Sequence, residues 1–203
     1  IHEAMRYSAM NGGKRIRPVL VLAVSEMLKG DSVDALLPAS AIELIHCYSL
    51  IHDDLPSLDN DDCRRGKPTS HKKYGEAVAL LAGDGLLTVA FNVLGKMQDS
   101  KKAQRIVSEL SYAAGTFGMI GGQVVDIFSS SKEVDFPMLD YISIHKTGQL
   151  IRASTLIGAI MGGASAEAES RITKYGEYLG FAFQVIDDIL DNDGYLRLMS
   201  AHE

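Results

Sequence analysis

The chain has 203 residues, 46% of them hydrophobic, and a formal charge of −6 with only local basic stretches. That length suits one large domain, the apolar fraction supports a substantial core, and the charge argues against a nucleic-acid surface. Two cysteines, Cys47 and Cys63, offer neither a metal spacing nor a disulfide framework and are expected as reduced thiols.

The chain opens inside a helical pattern, not a secretory leader: Ile1, Ala4, Met5, Ser8 and Ala9 recur at helical spacing up to Gly12-Gly13. Lys14-Arg15-Ile16-Arg17-Pro18 follows, with Pro18 suited to the first turn of a helix over Val19 to Leu28 that Gly30 ends. Cations ahead of a helix N-terminus oppose the helix dipole but make a strong anion site. A solvated basic turn is the alternative. The next helix spans Asp34 to Ile51, with Glu43 and His46 on one face and His46 aligned with Asp53 two turns on. His46 is either a satisfied core residue or part of that face.

Five carboxylates then crowd into residues 53–62: Asp53, Asp54, Asp59, Asp61 and Asp62, followed by Arg64, Arg65 and Lys67. Pro56 must end the helix soon after Asp54, so the first carboxylates sit where the helix dipole is already negative. Such a placement needs counterions. Hard oxygen donors without clustered His or Cys point to Mg²⁺ or Mn²⁺ rather than Zn²⁺, and the adjacent arginines suit phosphates.

A polar connection covers Thr69 to Tyr74. Ala77 to Gly95 is nearly all apolar but holds Asp84 and three glycines. We read it as a helix at the centre of a soluble bundle, with no membrane insertion. Ser100 to Ala114 is helical, and Gly115 to Asp126 is studded with glycines suited to close packing, with Gln123 and Asp126 on one face. A loop is predicted over 129–133. Asp135 can cap a helix with Pro137 in its first turn, running to about Met161 and carrying Lys146-Thr147-Gly148-Gln149 in its middle. Gly148 there marks either a local break or close packing. A last helix, Glu167 to Asp191, carries Gln184, Asp187, Asp188 and Asp191, with Asp187 and Asp191 stacked on one face. Two aspartate clusters thus each end an apolar helix, and if the helices face one another they form one oxygen-lined cage. With no strand-period segment, the fold class is all-α.

These elements together resemble the trans-isoprenyl diphosphate synthase (polyprenyl synthetase) family, in its bacterial farnesyl diphosphate synthase form. The resemblance rests on Gly12-Gly13-Lys14-Arg15-Ile16-Arg17-Pro18, on Asp53-Asp54 with Asp59 and Arg64-Arg65-Gly66-Lys67-Pro68, on Gln123 with Asp126, on Lys146-Thr147-Gly148, and on Asp187-Asp188-Ile189-Leu190-Asp191. It covers Ile1 to Asp191. It implies a single domain over the whole chain, a helical bundle around a deep cavity, a homodimer and a cytoplasmic setting. It also implies three Mg²⁺ ions per site, which Mn²⁺ can replace, and condensation of isopentenyl diphosphate with dimethylallyl or geranyl diphosphate.

By position, the resemblance assigns Lys14, Arg17, His46 and Arg65 to isopentenyl diphosphate, and Arg64, Lys146 and Gln184 to the allylic diphosphate. Asp53, Asp59 and Asp187 would ligate metal; Asp54, Asp188 and Asp191 would act directly or through water. The Lys146 carbonyl, Thr147 and Gln184 would stabilise a carbocation. Tyr48, with Ser49 beside it, would limit the product to farnesyl over geranylgeranyl. A non-catalytic partner subunit and a class I terpene cyclase are the rival readings, and Cys63 receives no role. The family pattern also has a helix ahead of Ile1. After Asp191 it has a loop with another diphosphate-binding lysine and further helices. Both ends are therefore expected to be incomplete, with a join near Asp191 and Asn192 where a mobile lid would lie.

Overall fold

The computed structural model describes residues 1–129, 134–192 and 194–198. Helices dominate, in chain order α1 (His2–Ala9), α2 (Ile16–Met27), α3 (Leu36–Asp53), α4 (Ser70–Tyr74), α5 (Glu76–Leu94), α6 (Ser100–Ala114), α7 (Met119–Ser129), α8 (Phe136–Ile142), α9 (Gln149–Met161) and α10 (Ala166–Asp191). Asp99, Asp135 and Ser165 cap α6, α8 and α10 by accepting hydrogen bonds from first-turn amides. The predicted polar connection over 69–74 is corrected to the short helix α4. The predicted loop begins at Ser129, which ends α7, and otherwise lies outside the described residues.

Two local departures from regular helix bear on the site. Residues Ser143–Gly148 form a π-helical turn that joins α8 to α9 without a gap. The break expected at Gly148 is therefore a widened turn rather than an interruption, as π-turns at functional positions commonly are. The second is a two-stranded antiparallel ribbon, β1 (Cys63–Arg64) and β2 (Lys67–Pro68). Its turn residues Arg65 and Gly66 both have positive φ, 53° and 74°. That is the geometry of a tight two-residue hairpin, with Gly66 supplying the left-handed conformation at no steric cost.

The centre of the bundle lies elsewhere than the composition suggests. α9 has ten buried residues, from Leu150 to Met161. Its polar members are satisfied internally: the Ser154 hydroxyl donates to the Leu150 carbonyl at 2.7 Å and Thr155 to that of Arg152 at 2.8 Å. α5, read from sequence as central, buries only the stripe Ala79, Ala82, Gly83, Leu86, Ala90 and Leu94. Its other face leaves Val78, Leu81 and Val89 exposed. Mean hydropathy therefore misled: α5 is one-sided, and it is the one helix among the described residues long and apolar enough to cross a membrane by composition.

α10 approaches the π-turn closely. A Cβ added at Gly180 would lie 2.7 Å from the Gly148 Cα, inside van der Waals contact with backbone that cannot retreat. This glycine pair lets the helix bearing Gln184 and Asp187 lie against the segment bearing Lys146 and Thr147. We expect Gly180→Ala to cost about 2 kcal/mol of stability through overpacking and to lower the melting temperature by roughly 5 °C. Gly95→Ala, whose Cβ would meet ordinary contacts at 3.4 Å, should change it little. Thermal denaturation of both variants checks this.

Candidate active site

Asp53 is the last residue of α3 and Asp54 its C-cap. The two neighbours have opposite fates. Asp54 is 3% exposed and accepts from Arg64 Nε at 2.6 Å, while Arg64 Nη2 also donates to Asp61 at 2.9 Å. Among the described residues Asp53 has no ion-pair partner within salt-bridge reach. Burial pushes its carboxyl up to about 6, with Asp59 and Asp54 adding to that and Lys146 and Arg64 opposing it. The loop holds Asp59 close by, since the Asp59 amide donates to the Asp53 carbonyl at 2.8 Å. The hairpin turns Arg65 away from Arg64. Arg65 donates instead to the Gly12 carbonyl, tying the hairpin to the loop before α2.

Two cavities meet beside these groups. The larger, about 550 Å³, is lined by Lys14, Arg15, Arg17, His46, Arg64, Arg65, Thr147, Phe183 and Asp187, among others. Arg15 is the N-cap of α2 in a left-handed conformation and pairs with Glu43. Arg17 Nη1 lies 3.5 Å from His46 Nε2, and its buried Nε has no partner. Burial lowers Arg17 to about 10, partly offset by Glu43 and Asp187, so it stays a cation. Lys14 lies over the Phe183 ring at 5.9 Å. Five cationic side chains around one space make an anion site of higher charge than a solvated turn would need.

The second cavity, about 300 Å³, lies between α3 and α7. Tyr48, Ser49, Leu50, His52, Asp53, Leu58, Met119, Ile120, Gln123, Val124, Lys146 and Thr147 line it, together with Arg17 and His46. Its wall is mostly apolar, with charged groups Asp53 and Lys146 on the rim. Lys146 is held by Asp126 at 2.5 Å. The Gln123 Oε1 is buried without a partner. The sequence reading omits Met119, Ile120 and Val124; their spacing with Gln123 is a helical face that could have exposed them. It also omits His52, Leu50 and Phe183 as wall residues, for which no local signal exists.

On α10, Gln184 joins the two halves of the site. Its carbonyl accepts from the Thr147 hydroxyl at 2.6 Å, and its amide donates to Asp188 Oδ1 at 2.7 Å. Asp188 also accepts from the Tyr195 amide at 3.1 Å, so it is committed to local structure. Asp187 faces the basic cavity; burial raises its carboxyl most, Lys14 lowers it, and Asp191 and Asp188 raise it further. Asp191 is exposed at the end of α10.

The polyprenyl synthetase family model matches residues 1–195. This chain belongs to the polyprenyl synthetase family. It is 50% identical to the heterodimeric geranylgeranyl pyrophosphate synthase large subunit 1 of Arabidopsis thaliana, over 94% of the chain and 54% of that protein. It is 48% identical to the farnesyl diphosphate synthase of Geobacillus stearothermophilus, over 96% of the chain and 67% of that protein. The chain thus spans about half to two thirds of the length of the curated relatives it matches. Among solved structures, a farnesyl/geranylfarnesyl diphosphate synthase from Zymomonas mobilis superposes with a TM-score of 0.90 at 42% identity, covering 94% of the chain and 70% of that structure.

The family is associated with Mg²⁺, and the residues fit that ion in a specific way. Among the described residues no three of His, Cys, Asp or Glu converge on one point, so side chains alone do not complete a metal shell. Asp53 and Asp59 are near one another, and so are Asp187 and Asp191, on separate cavities that share Arg17, His46, Leu50 and Thr147. One or two carboxylates, completed by water and phosphate oxygens, is how Mg²⁺ is usually held. An unpaired carboxylate such as Asp53, at a helix C-terminus already negative, gains most from such an ion.

His46 supplies a pH signature. Burial, then Arg17, Arg65, Arg64 and Arg15, hold its pKa well below the usual 6.5, so it is neutral in the folded protein. The unfolded chain takes up a proton below pH 6.5 and the folded state does not, so stability falls as pH drops through that value. This residue's share is at most about 1.4 kcal/mol per pH unit. Urea unfolding at pH 7.5 and 5.5 should show a smaller loss in His46→Gln than in the parent.

Proposed function

We propose that this protein condenses isopentenyl diphosphate with an allylic diphosphate, geranyl or dimethylallyl, to give farnesyl diphosphate. One observation carries the reading: a strongly basic cavity and a mostly apolar one share Arg17, His46, Leu50 and Thr147, with carboxylates on both. That layout suits two diphosphates whose hydrocarbon ends must meet.

Lys14, Arg17, His46 and Arg65 bind isopentenyl diphosphate in the basic cavity. Lys146, Arg64 and Gln184 bind the allylic diphosphate, whose prenyl tail enters the apolar cavity. Asp53 and Asp59 from one side and Asp187 from the other would hold the Mg²⁺ ions, with Asp54, Asp188 and Asp191 supporting them through hydrogen bonds or water. Bound Mg²⁺ neutralises diphosphate charge and so makes it a better leaving group.

The C1–O bond of the allylic substrate then breaks, leaving an allylic carbocation and free diphosphate. Apolar walls keep water from quenching the cation, and the Thr147 hydroxyl, the Gln184 amide and the Lys146 carbonyl stabilise it. The double bond of isopentenyl diphosphate supplies the electron pair for the new C–C bond. A proton leaves the adjacent carbon to the departing diphosphate, and its C–H electrons form the new double bond.

Tyr48 sets the product. It is 5% exposed and lies in the wall of the apolar cavity. Its ring fills volume that another prenyl unit would need, which favours farnesyl over the geranylgeranyl product named for some relatives. The exposed apolar side chains Leu81 and Val89 of α5, with Phe117 before α7, suit a second copy of the chain. Basic residues for a second diphosphate distinguish this site from a terpene cyclase, and both aspartate motifs distinguish it from a non-catalytic subunit.

Purified protein with Mg²⁺, isopentenyl diphosphate and geranyl diphosphate should give a C15 product by chromatography, and chelation should abolish it. Absence of any condensation would overturn the assignment. Tyr48→Ala should shift the main product to C20 or longer; unchanged C15 output would remove Tyr48 from that role.

A further inference from the structure

His52 stands between Tyr48 and the metal-binding end of α3 and has no role in the reaction as derived. Its surroundings are nonetheless built with some care. The Nε2 atom lies 3.0 Å from the Leu80 carbonyl, so this nitrogen carries the proton and donates. Asp84 Oδ1 is 3.8 Å from the same atom. The imidazole meets the Tyr48 ring edge-on, with centroids 5.7 Å apart and planes at 73°. Gly83 provides the space: any Cβ there would fall inside the ring itself. Three features of α5 thus converge on one side chain of α3. They include Gly83 and Asp84, adjacent departures from a mostly apolar helix.

We propose that His52 is a positioning residue for product length: seated in the Gly83 notch and hydrogen-bonded to the Leu80 carbonyl, it fixes the Tyr48 ring across the apolar cavity. The inference rests on the proposed prenyl transfer. A tyrosine has two rotatable side-chain torsions, and a ring that can swing does not stop a growing chain at one length. The edge-on imidazole supplies a directional contact to the Tyr48 ring. Because Tyr48 and His52 are four apart on α3, their rings are neighbours on one face, and the lock to α5 passes directly from one to the other. Gly83→Ala would evict the imidazole and should act like loss of His52.

Two measurements test this. In the condensation assay with excess isopentenyl diphosphate, His52→Ala should raise the C20-to-C15 ratio several-fold. Gly83→Ala should do the same, and His52→Gln, which retains a donor toward Leu80 but not the ring edge, should restore only part of the C15 preference. Independently of activity, the ring signals of Tyr48 in ¹³C-tyrosine-labelled protein, assigned through Tyr48→Phe, should move in His52→Ala and also in Gly83→Ala, which keeps the imidazole but displaces it. An unchanged product ratio from folded His52→Ala would overturn the proposal while leaving the activity standing. Unchanged Tyr48 ring signals would overturn it even in a protein that made no prenyl product, an outcome that would separately end the functional reading.

Discussion

The ion pair between Arg64 and the buried Asp54, 2.6 Å across, organises everything around it. Two adjacent carboxylates at a helix C-terminus repel each other and the helix dipole alike. Pairing one with a guanidinium neutralises it inside the protein and leaves the other, Asp53, for a ligand. Removing Arg64 is the costly way to break this pair, because it leaves the buried Asp54 carboxylate with neither partner nor water. It also anchors the hairpin whose next residue, Arg65, reaches back to the loop before α2. The acidic cluster, the basic loop and the hairpin are therefore one mechanical unit. The pair assigns separate tasks to residues that look equivalent on the page: Asp53 and Asp54, Arg64 and Arg65.

A second unit lies opposite. The π-turn carries Lys146 and Thr147, α10 carries Gln184 and Asp187, and the Gly148–Gly180 contact sets their separation. Hydrogen bonds from Thr147 to Gln184 to Asp188 then fix the polar side chains relative to one another. A site built in this manner is held by rigid helices rather than loops, which suits chemistry on a reactive cation, where a small displacement of a polar group admits water or misplaces charge.

Much of this was legible in the sequence because helix periodicity and capping residues are local signals. Asp135 with Pro137 marks the start of α8, and the four-residue spacing of Asp187 and Asp191 puts both on one helix face. The rest depended on facts that are not local. The bundle centre was assigned to the most apolar segment, yet α5 buries one stripe while α9, with Ser154 and Thr155 in it, is enclosed. Hydropathy counts methyl groups and cannot see which hydroxyls the helix backbone will satisfy. The hairpin escaped notice because Arg65 occupies a left-handed position usually filled by Asn or Gly, and a four-residue ribbon has no period to detect. The spacing of the aspartates places each cluster at a helix end, but which cavity each one lines depends on how distant helices pack, which no local pattern encodes.

That division has a thermodynamic consequence. Arg17, His46, Leu50 and Thr147 belong to the walls of both cavities. Any rotation of these side chains made to fit one occupant is imposed on the other. Affinities in the two spaces are then linked, and the linkage is reciprocal: whatever factor the first ligand contributes to binding of the second, the second returns in equal measure. A shared partition thus makes this pair of sites a coupled system, with the same coupling whichever space fills first.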